Sequence, residues 1–323
     1  MALNIVWLVV GMGLLVKGAD WFVGGSSAIA KALKIPSLII GLTLVSMGTS
    51  APEASVSINS AVNGMSDMSI GNVVGSNIFN TLFILGVSSL IVPLSIGKDI
   101  KRYDIPIMVC LYGILLLFAF VITPLTLDIF ESVAMLVLFV AYTAFLIIRT
   151  KRINKNGSPA NENSDGEPSE NEKKKPIWLS VILAAAGLAG IIFGGDMVVD
   201  NAAAIAKTAG MSESLVGLTI IAVGTSLPEL VTSVVASIKK ENDIAIGNVI
   251  GSNIFNIIFI LGLSSSINNL TLNLSALTDM LVMLGSGIII LLIALFSKKM
   301  HRWQGAVAVL LYVGYLVYII IRN

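Results

Sequence analysis

The chain has 323 residues, of which 56% are hydrophobic and only 12% charged, with a formal net charge of +1. Soluble domains carry about 25% charged residues, so this balance excludes an ordinary soluble enzyme and indicates an all-α polytopic membrane protein. The charges lie in short blocks between apolar runs, which argues against a nucleic-acid partner, and the single cysteine, Cys110, excludes both an internal disulfide and a thiolate metal site.

A hydrocarbon core of about 30 Å takes around 20 helical residues to cross. Apolar stretches of that size predict ten spans, at 3–28, 36–62, 69–92, 104–123, 127–149, 177–205, 213–238, 243–266, 275–297 and 303–321. The first begins within a few residues of Met1, with no basic segment ahead of it, so no cleaved signal peptide is expected. The second, third, seventh and eighth spans are rich in Gly, Ser, Thr and Asn. Residues 150–176 form the only long polar segment, mixing both charge signs with Gly, Pro, Ser and Asn, and read as a disordered tether. The chain thus divides into 1–149, the 150–176 loop, and 177–323.

Basic residues collect on the cytoplasmic side of membrane proteins. With the N-terminus outside, 17 of the 20 Lys and Arg fall in loops on one face, among them Lys31, Lys98, Arg102, Lys239 and Lys298. The expected topology has both termini outside a cell membrane and the tether in the cytoplasm.

Shifted by 176 residues, the chain overlays itself without a gap: 33 of the 72 positions from 18 to 89 are identical. "GTSAPE" at 48–53 meets "GTSLPE" at 224–229, and "GNVVGSNIFN" at 71–80 meets "GNVIGSNIFN" at 247–256. The identities concentrate on Gly, Ser, Thr, Asn, Pro and Glu while apolar positions drift, so the polar residues carry a shared demand. Duplication of a five-span unit gives copies of opposite sense, an inverted-topology repeat. The motifs proper cover 41–80 and 217–256.

Proline has no N–H and crowds the carbonyl four residues earlier. Pro52 therefore frees the carbonyl of Gly48 and disturbs that of Thr49, and Pro228 does the same to Gly224 and Thr225. Irregular backbone at membrane depth survives only where it lines a cavity or binds something. Beside each break stands an acid, Glu53 or Glu229, and an intramembrane carboxylate costs at least roughly 2.5–3.5 kcal/mol. Two carboxylates, freed carbonyls, the hydroxyls of Thr49, Ser50, Thr225 and Ser226, and the amides of Asn80 and Asn256 make a set of hard oxygen donors. Such a set suits calcium or sodium rather than zinc or copper, and two glutamates balance one calcium ion. Ser76 and Asn80 share a helix face, as do Ser252 and Asn256, and both pairs are candidate ion contacts. Asn72, Asn77, Asn248 and Asn253 fit either ion contact or helix packing, and Asp20 and Asp196 fit an interface position or a polar pairing.

These paired motifs resemble the α-1 and α-2 repeats of the cation/calcium antiporter superfamily, and more narrowly those of prokaryotic sodium/calcium exchangers. The resemblance covers essentially the whole chain. It implies a secondary active antiporter, not an enzyme, that exchanges Na+ for Ca2+ by alternating access and needs no resident cofactor. It assigns calcium to the Glu53 and Glu229 carboxylates with the Thr49 and Thr225 carbonyls. One flanking sodium site would use Ser50, Ser76, Glu53 and the Ser46 carbonyl. The other would use Ser226, Ser252, Thr225, Glu229 and the Ala222 carbonyl, with Asn80 and Asn256 completing the middle. It further implies that the first and sixth spans slide across the core. Some members have an aspartate where this chain has Asn256, so potassium co-transport is not expected here.

A proton/calcium antiporter is the alternative reading, although those relatives typically carry "GNA-x-E" in place of "GTS-x-P-E". An intramembrane protease would need an aspartate pair or a Ser–His dyad, and the only histidine, His301, lies in a basic loop. A passive channel would be an oligomer around an axis, whereas this chain carries its own paired half-sites and is expected to be a monomer.

Overall fold

The computed structural model describes residues 2–155, 176–210 and 222–322. Among them are eight helices long and apolar enough to cross a membrane: α1 (Leu3–Leu33), α4 (Ser66–Ile91), α5 (Ile100–Ile122), α6 (Ile129–Lys155), α7 (Ile177–Thr208), α10 (Asn242–Ile267), α11 (Leu274–Phe296) and α12 (Arg302–Arg322). The second predicted span is two helices, α2 (Ser37–Thr49) and α3 (Ala51–Val62), interrupted at Ser50 (φ −82°, ψ 8°). In the seventh, α8 (Ala222–Gly224) is a single turn followed at Leu227 by α9 (Leu227–Ile238), and 213–221 of that span lie outside the described residues. Both breaks fall where the proline, at the first turn of the following helix, cannot donate to the preceding turn.

One boundary needs correction. The tether does not begin at residue 150, because α6 runs on to Lys155, with Thr150 Oγ1 donating to the Leu146 carbonyl at 2.8 Å. No helix breaker precedes Gly157, so nothing in 150–155 stops the helix at the membrane surface. The rest of the segment, 156–175, lies outside the described residues.

The duplicated sequence produces duplicated turns. Left-handed backbone occurs at Lys34 (φ 54°) and Gly210 (φ 93°), and again at Gly64 (φ 72°) and Lys240 (φ 62°), each pair 176 residues apart. At three of the four the next amide reaches back to the helix's last turn, as in Ile35 to the Ala30 carbonyl (2.9 Å), Met65 to Ser60 (2.8 Å) and Glu241 to Ala236 (2.9 Å). Lysine tolerates at Lys34 and Lys240 a conformation that costs a non-glycine residue roughly 1–2 kcal/mol.

Two short antiparallel ribbons, absent from the predicted elements, tie loops together: Leu94–Ser95 with Lys299–Met300, and Thr126–Leu127 with Leu270–Thr271. Each joins a loop of the first half to a loop of the second. The longest contact is between α1 and α7, which meet backbone to backbone. A Cβ on Gly18 would lie 2.8 Å from the Gly187 carbonyl oxygen, and one on Gly194 would lie 2.7 Å from the Leu15 nitrogen. Small residues permit this approach in a membrane, where tight packing rather than the hydrophobic effect joins helices.

Helices α4 and α10 form the centre and are largely buried, whereas peripheral α12 is largely exposed. Their Gly, Ser and Asn content, which lowers hydropathy, is read by neighbouring helices rather than by lipid. Each contains a π-helical stretch, Phe79–Ile84 and Asn256–Leu261, which resets the side chains facing inward around Asn80 and Asn256. Phe79 stacks on Phe83 (4.8 Å) beneath Tyr312, and Phe255 stacks on Phe259 (4.7 Å) beneath Phe139, so each π segment is braced by the last helix of the opposite half.

Candidate functional site

The two helix breaks meet at the centre of the molecule. Ser50 Oγ donates to Glu229 Oε1 at 2.8 Å, and Ser226 Oγ donates to Glu53 Oε1 at 2.9 Å. Reciprocity of this kind marks a two-fold relation between the halves, and it recurs throughout the site. Asn72 Nδ2 bonds the Glu53 carbonyl (3.2 Å) and Ser57 Oγ (2.9 Å), while Asn248 Nδ2 bonds the Glu229 carbonyl (3.4 Å) and Ser233 Oγ (2.9 Å). Thr49 Oγ1 donates to Asn248 Oδ1 at 3.0 Å and Thr225 Oγ1 to Asn72 Oδ1 at 3.4 Å. These asparagines fasten each broken helix to its neighbour, so a helix that lacks its own ladder at the break is held by side chains instead.

A second tier fixes Asn80 and Asn256. Asn80 Nδ2 donates to Asn253 Oδ1 (3.1 Å) and Asn256 Nδ2 to Asn77 Oδ1 (3.0 Å). Asn253 is itself held through Nδ2 to Thr81 Oγ1 at 2.8 Å, and Asn77 through Nδ2 to the Asn253 carbonyl at 3.2 Å. With each amide nitrogen engaged, the oxygens of Asn80 and Asn256 are left for something else.

Four side-chain oxygens of this cluster are buried without a hydrogen-bond partner: Glu53 Oε2, Glu229 Oε2, Asn80 Oδ1 and Asn256 Oδ1. All four residues are fully buried, and none of the ion pairs among the described residues involves either glutamate. A buried unpaired acceptor costs roughly 1–3 kcal/mol, and more when charged. Four of them, two carboxylate and two amide, related by the same 176-residue shift, define a cage that a bound cation would satisfy. Among the described residues no group of three or more His, Cys, Asp or Glu side chains is placed to hold a metal ion, and the cage has two acids and otherwise neutral oxygens.

Most of the expected side chains lie in one cluster, but Ser50 and Ser226 have exchanged glutamates relative to the expected grouping. Ser50 lies with Glu229 rather than Glu53, and Ser252 Oγ joins that side at 3.5 Å from Glu229 Oε1 and 3.4 Å from the Ser46 carbonyl. Ser76 Oγ lies 3.1 Å from Ser226 Oγ, on the Glu53 side, and with the Ser226 proton given to Glu53 it is the Ser76 hydroxyl that donates. Each hydroxyl at a helix break reaches across to the glutamate of the other half. The Ser46 carbonyl also accepts from the Ser50 amide (3.0 Å), with Thr49 Oγ1 3.3 Å away as an alternative donor when it is not bonded to Asn248. Ala222 opens the α8 turn, two residues before Gly224. Asn72, Asn77, Asn248 and Asn253 are supports of the break and of the cage. Asp20 stands apart, paired with Lys239 at 2.7 Å and Lys17 at 3.3 Å, and Asp196 is exposed on α7. The supports Ser57, Ser233 and Thr81 are polar residues inside apolar spans, a signal visible in sequence but without an assigned partner.

Comparison with known proteins shows the family. A family model described as sodium/calcium exchanger protein matches residues 3–148 and 179–321. The sodium/calcium exchanger MaX1 of Methanosarcina acetivorans is 35% identical, with 97% of each chain covered. The inner membrane protein YrbG of Escherichia coli is 36% identical over 83% of this chain and 81% of its own. A solved structure of the sodium-calcium exchanger NCX_Mj, soaked with Na+ and Ca2+, superposes with a TM-score of 0.82 at 31% identity, covering 98% of both chains. The chain belongs to the sodium/calcium exchanger family of membrane antiporters.

Proposed function

We propose that this protein exchanges Na+ for Ca2+ at the Glu53–Glu229 centre by alternating access. The observation that carries the reading is the set of four buried, unpartnered oxygens on Glu53, Glu229, Asn80 and Asn256. Calcium takes six to eight oxygens at about 2.3–2.6 Å from flexible ligands. The two glutamates supply the charge, and the Thr49 and Thr225 carbonyls at the helix breaks extend the shell. Sodium uses the hydroxyl groupings on either side, Ser226 with Ser76 beside Glu53 and Ser50 with Ser252 beside Glu229. A hydroxyl that now donates to a carboxylate can rotate its proton away and offer a lone pair to a cation. The same carboxylates serve both loads, so the loads exclude each other, and that exclusion couples the fluxes.

In this reading the chain forms ten crossings in two inverted five-span repeats, 1–149 and 177–323, with both termini outside a cell membrane, and it works as a monomer. The two ribbons support that topology, because each joins loops it assigns to one side. Two carboxylates with one Ca2+ are neutral, while three Na+, the stoichiometry implied by the resemblance, leave +1. Each cycle then moves one charge, worth about 2.3 kcal/mol per 100 mV, and an inside-negative membrane drives calcium out.

The test is calcium-45 uptake into sodium-loaded proteoliposomes, with the potential clamped by potassium and valinomycin. Uptake that requires the sodium gradient and responds to voltage is expected. Uptake driven by a proton gradient without sodium would establish proton coupling instead, and sodium-driven uptake indifferent to voltage would exclude a net charge per cycle.

A further inference from the structure

Outside the cage, a cavity of about 500 Å³ reaches from the surface to the site. Its inner end carries Asn72, Ser76 and Thr225, and its outer end carries Asp67, Asp279 and Arg322. Ser76 lies nine residues beyond Asp67 on α4, about 14 Å along the helix. Ser76 in turn touches Ser226, which holds Glu53, so the inner end is two hydrogen bonds from the carboxylate.

The rim charges are fixed in place. Arg322 makes a two-pronged contact with Asp279, Nη1 to Oδ1 at 2.9 Å and Nη2 to Oδ2 at 3.0 Å. Its Nη1 also bonds the Ser275 carbonyl at 3.4 Å, and the guanidinium sits 5.3 Å from the Tyr318 ring. Asp67 accepts from Asn273 Nδ2 at 3.0 Å. The pair cancels itself, which leaves Asp67 as the net charge of the rim among the described residues.

The other half holds a matching pair in a different setting. Arg149 at the end of α6 binds both oxygens of Asp104 near the start of α5, at 2.9 and 3.0 Å, as Arg322 of α12 binds Asp279 of α11. There the two side chains are only 8% and 0% exposed, and Asp99 adds a second carboxylate at 3.1 Å. Gly247 and Gly251, the equivalents of Gly71 and Gly75, press against Leu38, Leu42 and Ser46, whereas among the described residues nothing lies within 4 Å of a Cβ on Gly71 or Gly75. The Asp104–Arg149 pair is therefore a buried brace, while Asp279–Arg322 faces the cavity.

We propose that the Asp279–Arg322 pair sets the electrostatic potential of this vestibule and so tunes discrimination between divalent and monovalent cations entering from that side. Neither residue touches a cage oxygen. This inference rests on the exchange reading for its consequence and on the cavity for its physics. A divalent ion feels a given potential twice over. Taking the roughly 14 Å from Asp67 to Ser76 as the scale of the vestibule, one unit charge at that distance in water of low ionic strength changes the local concentration of a monovalent ion roughly 1.7-fold and of a divalent ion roughly 2.7-fold; salt lowers both factors and low-dielectric cavity walls raise them. Removing Arg322 unmasks Asp279 and makes the rim doubly negative. Removing Asp279 leaves Arg322 to cancel Asp67.

The experiment has two arms, both on the full chain. In a Cys110→Ala, Gly75→Cys background, the introduced thiol is modified by cationic and by anionic methanethiosulfonates. The ratio of the two rates reports the vestibule potential whether or not the protein transports. At low ionic strength Arg322→Gln should raise the cation-to-anion ratio about 2.7-fold, Asp279→Asn should lower it by a similar factor, and the double variant should return near the parent. About 1 M salt should collapse the differences. In proteoliposomes, without the added cysteine, Arg322→Gln should lower the apparent KM for calcium on the cavity side about 2.7-fold and that for sodium about 1.7-fold, with Asp279→Asn opposite in sign. A ratio unmoved by either variant, or moved the same way by both, overturns the proposal. So does an altered ratio with unaltered KM values. Absence of exchange in the unsubstituted protein would count against the exchange reading, and the thiol ratio would still decide whether the pair sets the potential.

Discussion

Ser226 reaches across the molecule to Glu53 at 2.9 Å, and Ser50 returns the contact to Glu229 at 2.8 Å. Each acid is therefore positioned by the helix break of the other half, and the centre exists only when both halves are assembled. One oxygen of each carboxylate is consumed by this contact. The other is left bare inside a fully buried cluster.

The carboxylates are the first test. Glu53→Gln and Glu229→Gln keep the shape of the side chain but remove half the charge that balances calcium. Each should lower calcium affinity by two orders of magnitude or more, about 3 kcal/mol at 1.4 kcal/mol per tenfold, while leaving a folded, monodisperse protein. Calcium-45 binding to purified protein measures it, and near-normal binding in either variant would remove that residue from the site.

The asparagine supports give a subtler prediction. Asn253→Ala leaves every cage oxygen present but removes the acceptor that orients Asn80 and the donor to Thr81. Partners that orient metal ligands are typically worth 10–100-fold in affinity. A loss of about that size in calcium binding is expected, clearly smaller than for the glutamates. No loss would mean that Asn80 needs no bracket.

Packing of α1 on α7 predicts a contrast between two glycines. A Cβ on Gly187 would strike the Phe22 backbone nitrogen, whereas one on Gly13 would meet nothing within 4 Å. Gly187→Ala should destabilise the protein by about 1–3 kcal/mol, as overpacking does, and Gly13→Ala should be close to neutral. Thermal unfolding in detergent compares them, and equal midpoints would contradict the backbone-to-backbone contact.

The orientation is tested with single cysteines in a Cys110→Ala background. Asn63 and Lys98 are both exposed, at opposite ends of α4. Asn63→Cys should react with an impermeant maleimide in intact cells, and Lys98→Cys only after the cytoplasmic side is opened. The reverse pattern would invert the topology.

Much of this was legible in the sequence because duplication isolates what matters. Glu53 and Glu229 stand beside prolines that must break their helices, and Ser76, Asn80, Ser252 and Asn256 recur while their apolar neighbours drift. What stayed hidden depends on which side chain faces which. Nothing in the chain order says that Ser50 belongs with Glu229, since that contact joins residues 179 positions apart. The roles of Asn77 and Asn253 emerge only once π turns place them opposite Asn256 and Asn80. The Asp104–Arg149 and Asp279–Arg322 pairs join residues more than 40 positions apart, beyond any local pattern.

The central claim is that the four bare oxygens hold calcium. Anomalous diffraction from crystals grown with calcium, and with Asn80→Ala as a control, addresses it directly. The account predicts one strong peak between Glu53 Oε2 and Glu229 Oε2, about 2.3–2.6 Å from each, weakened or lost in the variant. A peak bound by other residues, or none at the glutamates under conditions where the protein binds calcium-45, would contradict it.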